Sequence, residues 1–138
     1  MEKRYGYNRL LNEINKFRTQ EINLNGGKIE IIYFDKNQIY IQFKFPQPPK
    51  LNFPFINYDC EKIINDYLKS DNIINFVLYF NNYPFEEPKI NILYVNTYYK
   101  NDIDKKIKKF IKIKKKYWQC SIGIEKFLLG FYSYINIF

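Results

Sequence analysis

Residues 38–45 alternate without a break: Ile39, Ile41, Phe43 and Phe45 fall to one side, and Tyr40, Gln42 and Lys44 to the other. A period of two marks a strand with one face buried. The run Lys28–Phe34 precedes it, with only Asp35-Lys36-Asn37 between. So short a connection joins antiparallel neighbours, which predicts a β-hairpin with a core on one side. Pro46-Gln47-Pro48-Pro49 then ends the ladder, because proline has no N–H to give it. Two further strands are predicted over 72–81 and 89–95, the last with Ile90, Ile92 and Tyr94 on one face. Pro84 and Pro88 bracket the loop between them and stiffen it, and Tyr83 and Phe85 are expected to pack on the core beside it.

Helical spacing appears at both ends. Over 5–19, Tyr7, Leu10, Leu11, Ile14 and Phe17 recur at steps of three and four, and Asn23 to Gly27 breaks the pattern. Over 121–135, Ile124, Phe127, Leu128, Phe131 and Ile135 form a second stripe, with Ser121 as its expected cap. A short helix over 59–68, with Asp59 as cap, is expected in the irregular stretch that follows the prolines. The result is an α+β class: a four-stranded antiparallel meander with an N-terminal and a C-terminal helix packed on it. The 138 residues match one average domain, so 1–138 is read as a single unit.

The run over 98–117 is strongly basic and fits two descriptions. Ile103, Ile107, Phe110 and Ile111 have helical spacing, whereas Ile111 and Ile113 alternate with lysines as in a strand. Its lysines Lys105, Lys106, Lys108, Lys109, Lys112, Lys114, Lys115 and Lys116 form a basic patch. They suit a nucleic-acid, anionic-membrane or acidic-protein contact, with Phe110, Tyr117 and Trp118 near for stacking. The run contains no arginine, so nucleic-acid binding through it is expected to be weakly specific and salt-sensitive. The plainer description is a solvated connection whose apolar residues cap the core. The net charge of +8 agrees with acidic partners in general without choosing among them.

The chain has no histidine. That excludes Ser-His-Asp and Cys-His catalysis and every imidazole metal site. Two cysteines, Cys60 and Cys120, are too few for a structural zinc site. Neither a calcium-loop spacing nor a glycine-rich phosphate loop occurs, so no metal and no cofactor is expected. Both thiols are read as free, in a cytoplasmic or other reducing compartment. No apolar run approaches the roughly 20 residues that cross a bilayer, and no secretory signal opens the chain. The Ile, Asn, Lys, Tyr and Phe bias fits an AT-rich genome, as in a large DNA virus or a protist. For a virus the place would be the host cytoplasm or the virion.

Several local patterns then coincide. Tyr83-Pro84-Phe85-Glu86-Glu87-Pro88-Lys89-Ile90 resembles the Tyr-Pro-Phe-x-x-Pro-x-Ile segment between the third and fourth strands of ubiquitin-conjugating enzymes. Phe76-Val77-Leu78-Tyr79-Phe80 is similar to the strand leading into it. Trp118-Gln119-Cys120-Ser121-Ile122-Gly123-Ile124 to Leu129 is similar to the Trp-Ser/Thr-Pro segment that opens the family's second helix. Arg9-Leu10-Leu11-Asn12-Glu13-Ile14 is similar to the start of its first helix, and Pro46-Gln47-Pro48-Pro49 stands where a Gly-Pro-Pro is common. Tyr-Pro-x-x-x-Pro also occurs in the related RWD domains, the second choice. The resemblance spans nearly the whole chain except an insertion at about 50–71, around Phe53 to Ser70.

The family's nucleophilic cysteine lies about eight residues before that tryptophan, which falls here on Phe110, and a phenyl ring carries no acyl group. The family's His-Pro-Asn tripeptide falls near Tyr99-Lys100-Asn101, so Asn101 is a degenerate remnant of an oxyanion donor. Cys120 precedes a helix, where a thiolate is favoured, yet it takes the place of the family's proline, and a buried, inert thiol is the expectation. The chain ends after the second family helix, where active enzymes continue. The resemblance is therefore greatest to the variants that lack the cysteine, and it implies a noncatalytic module that contacts ubiquitin or a conjugating enzyme noncovalently. The expected surfaces are Lys3, Arg4 and Arg9 on the first helix, the sheet, and the loop of Tyr83, Pro84, Phe85 and Pro88. The alternative is a structural or packaging protein that uses its lysine run on nucleic acid or an acidic protein. The oligomeric state stays open.

Overall fold

A computed structural model describes residues 2–20, 22–46, 71–97 and 100–136, with side chains from Gly6 onward. The expected short helix over 59–68, Cys60, the insertion, and Gln47-Pro48-Pro49 lie outside these residues. In chain order the elements are α1 (Glu2–Thr19), β1 (Lys28–Phe34), β2 (Gln38–Lys44), β3 (Ile73–Tyr79), β4 (Lys89–Asn96), α2 (Lys100–Tyr117) and α3 (Gly123–Ile135). Among the described residues the fold is α+β: the strands form one antiparallel sheet in the order β1-β2-β3-β4, with three helices.

Asp35 closes the β1–β2 hairpin. Its Oδ1 accepts from the backbone N–H groups of Asn37 at 2.8 Å and Gln38 at 3.1 Å, which holds its carboxyl below the usual range. Ile39, Ile41, Phe43 and Phe45 are all buried, as their alternation predicts. They meet Ile74, Phe76 and Leu78 of β3 and the stripes of the helices in one aromatic core. Phe43 lies 4.7 Å from Phe76 and 5.4 Å from Phe131, and Phe110 stacks on Phe131 at 4.6 Å, ring centroid to ring centroid.

Several expectations need correction. Tyr94 does not share the face of Ile90 and Ile92. The register steps from Asn75↔Tyr94 to Phe76↔Ile92, so Leu93 is an extra residue that reverses the alternation and brings Val95 inward in place of Tyr94. Tyr7 is exposed, leaving Leu10, Ile14 and Phe17 as the buried stripe of α1. The basic run is a helix, α2, with Ile103, Ile107, Phe110 and Lys114 buried. Ile111 and Ile113 are exposed, because a helix turns them away from that side.

Candidate functional site

Three of the segments quoted for their resemblance, 9–14, 83–90 and 118–129, are far apart in sequence and meet at one place. Glu13 on α1 is the hub. Its Oε1 accepts from Arg9 Nε at 2.9 Å, one helical turn away. Its Oε2 accepts from the Tyr83 hydroxyl and, at 3.2 Å, from the backbone N–H of Ile124 in the first turn of α3. A carboxylate there satisfies an amide that has no partner within its own helix and meets the positive end of the helix dipole. Glu13, not Ser121, thus serves the start of α3, where the N-cap residue Ile122 offers no side-chain cap. Gly123 makes room for it: its φ is +75°, and a Cβ there would lie 3.0 Å from Glu13 Oε1.

Arg9 extends the network. Its Nη2 donates to the Cys120 carbonyl, and its guanidinium lies 5.7 Å from the Tyr83 ring centroid. Trp118 completes it: the indole N–H donates to the Pro84 carbonyl at 2.9 Å, and the ring packs on Tyr83 at 5.8 Å and Phe127 at 5.7 Å. Burial, then the contact to Glu13, raises the Tyr83 phenol above its ordinary range. From the other side Lys114 of α2, itself buried, pairs with Glu87 at 3.5 Å. The Glu87 carboxyl is held below its usual range, first by its own backbone N–H and then by Lys114. Three helices therefore grip the 83–88 loop.

What this loop presents outward is Phe85. It is 54% exposed, so the expectation that it packs on the core is wrong. The chain turns at Asn82, whose carbonyl accepts from the N–H groups of Phe85 at 2.7 Å and Glu86 at 3.0 Å. Tyr83, Pro84 and Pro88 are buried and Phe85 is left on the outside. Beside the loop, a cleft of about 620 Å³ is bounded by Tyr7, Lys36, Asn37, Tyr79 and Asn82.

The remaining candidates separate from this cluster. Phe110 is a core residue in the middle of α2, and Asn101 is exposed in its first turn. Cys120 is exposed, not buried, because the turn ahead of α3 carries it outward. Lys3 and Arg4 belong to α1, but their side chains lie outside the described residues. Of the eight lysines of the basic patch over 105–116, Lys105, Lys108, Lys109, Lys112, Lys115 and Lys116 are exposed, Lys106 is half-buried and Lys114 faces inward. Among the described residues, Lys114 is the member of the run in an ion pair. No group of acidic, cysteine or histidine side chains there can hold a metal ion, and no helix there is long and apolar enough to cross a membrane.

Sequence reasoning quoted Glu13 and Gly123 without seeing their roles. The available signals were the four-residue step from Arg9 to Glu13 and a glycine at a helix start. It drew no role from Tyr33, Tyr40, Tyr79 and Tyr94, which the strand register, shifted at Ile31/Tyr33 and at Leu93, places on the outer face of the sheet. No protein-family model matches the chain, and a search of curated proteins finds no match.

Proposed function

We propose that this chain is a noncatalytic binding module of the ubiquitin-conjugating-enzyme type, most like the variants without the cysteine. It holds a protein partner, ubiquitin or a conjugating enzyme, at the 83–88 loop and the adjoining half of α1. The observation that carries the reading is Phe85, an exposed aromatic ring on a loop fixed by backbone hydrogen bonds and by the Trp118 contact. Aromatic residues dominate binding energy where they bury, and a loop already in place loses little freedom on association. The order helix, four-stranded meander, helix and the convergence of Glu13, Tyr83 and Trp118 support the family part of the reading. Phe110 in the core supports the noncatalytic part, because no nucleophile stands there.

The test is an NMR titration of isotope-labelled protein with ubiquitin and, separately, with conjugating enzymes. Shifts should centre on Phe85, Glu86 and Tyr7, and Phe85→Ala should weaken binding by about thirtyfold. Absence of shifts at millimolar partner would overturn the proposal. A second reading, the lysine run as a contact for nucleic acid or an acidic protein, is favoured by the seven exposed lysines of α2. A steep salt dependence removed by charge reversal on α2 would select it.

A further inference from the structure

Solvent meets α2 as a ridge of lysines. The helix turns by roughly 100° per residue, and Ile103, Ile107, Phe110 and Lys114 point one way, into the fold. The far side carries Lys105, Lys108, Lys109, Lys112, Lys115 and Lys116, all exposed. Around that turn Lys105 and Lys112 form the crest, Lys108 and Lys115 one flank, and Lys109 and Lys116 the other, with the flanks about 100° apart. Ile111 and Ile113, 38% and 41% exposed, bound the ridge on its two sides. About 200° of the helix circumference therefore stands clear of the fold. The acidic residues of α2, Asp102 and Asp104, both precede Lys105, and among the described residues none of the six lysines is in an ion pair. Lys105 with Lys109, Lys108 with Lys112, and Lys112 with Lys116 set like charges four residues apart, which weakens a helix on its own. An anionic partner relieves that repulsion.

We infer that this ridge binds double-stranded DNA by lying in the major groove, with its flanks on the phosphates of the two strands. The inference rests on the second reading above, whose partner it names, and is independent of the 83–88 loop. A helix with its side chains is about 10–12 Å across, and the major groove of B-form DNA is about 12 Å wide and admits one. A row of cations on each flank of a crest matches a phosphate strand on each side of a groove. Lysine meets phosphate as a point charge, without the planar fork by which arginine reads a base, so binding is weakly specific in sequence. A bilayer fits less well. The apolar side of α2 is buried in the core, and Ile111 and Ile113 lie on opposite flanks, so no apolar face is left to enter lipid. The major groove of duplex RNA is deep, narrow and closed to side chains, and a single strand has no groove. The net charge of +8 adds attraction that does not depend on strandedness.

Fluorescence anisotropy of the full chain with a labelled DNA duplex, its single strand and an RNA duplex of the same sequence and length, over roughly 50 to 200 mM salt, tests this. The DNA duplex should bind most tightly. About four to six phosphate contacts give a logarithmic salt slope of about −4 to −5, a loss of roughly three hundred- to a thousandfold across that range. Lys108→Gln with Lys115→Gln, and Lys109→Gln with Lys116→Gln, each withdraw two contacts and should lower the slope by about 2. Glutamine keeps the helix propensity of lysine. Lys44→Gln with Lys89→Gln, which removes the same charge from exposed positions on the sheet, should leave the slope unchanged. No binding to any of the three would sink the second reading together with this proposal. Single strand or duplex RNA bound as tightly as duplex DNA, with the α2 variants still lowering the slope, would overturn the groove alone. An equal fall in slope in the sheet variant, or tighter binding to polyglutamate or to phosphatidylserine vesicles than to the DNA duplex, would overturn it as well.

Discussion

Removing the Glu13 carboxylate should loosen three elements at once. Glu13→Ala withdraws the acceptor from Arg9, from the Tyr83 hydroxyl and from the Ile124 N–H. A hydrogen bond to a charged group contributes about 1.5–3 kcal/mol, and a buried donor left without a partner costs about 1–3 kcal/mol. The side chain is only 23% exposed, so water replaces little of this. Because the contacts share one carboxylate they do not add, and we expect a total loss of roughly 3–4 kcal/mol. Glu13→Gln keeps an acceptor oxygen for Tyr83 and should lose about 1 kcal/mol. Tyr83→Phe removes the donor that Glu13→Ala strands, so the double variant should be no less stable than Glu13→Ala alone. Urea unfolding followed by the fluorescence of Trp118, the single tryptophan, measures all four proteins. A Glu13→Ala loss below about 0.5 kcal/mol, or simple additivity with Tyr83→Phe, would refute the reasoning.

Two further outcomes follow from the packing and the charges. Phe110→Ala empties a core position between Phe127, Phe131 and Tyr134 and should cost about 3–5 kcal/mol in the same urea titration. The Glu87 carboxyl is held below its ordinary value of 4.5 in the folded state. Its stabilisation is therefore present above that value and is lost as the pH falls through the lower folded pKa. Urea midpoints measured down the acid limb should fall less steeply for Glu87→Gln than for the unaltered protein.

The hairpin was legible because alternation at Ile39, Ile41, Phe43 and Phe45 is a local signal that the core then uses directly. The stripe of α3 was legible for the same reason. The helix α2 was ambiguous because its buried line ends on Lys114, a charge whose burial depends on Glu87 in a distant loop. Tyr94 was misassigned because the bulge at Leu93 leaves no trace in composition. Ser121 was misread as a cap because the group that serves Ile124 lies 111 positions earlier in the chain. Phe85 was misread for a related reason: Pro84 and Trp118 fix the loop so that Tyr83 takes the inward place. Local periodicity carried the elements, and contacts between distant residues decided the site.

The proposed noncatalytic role is tested most directly by incubating the protein with activating enzyme, ATP and ubiquitin and resolving the products on a nonreducing gel. The account predicts no thiol-labile adduct, because a core phenyl ring stands at residue 110 and Cys120 lies elsewhere on the surface. An adduct that disappears in Cys120→Ser would contradict it.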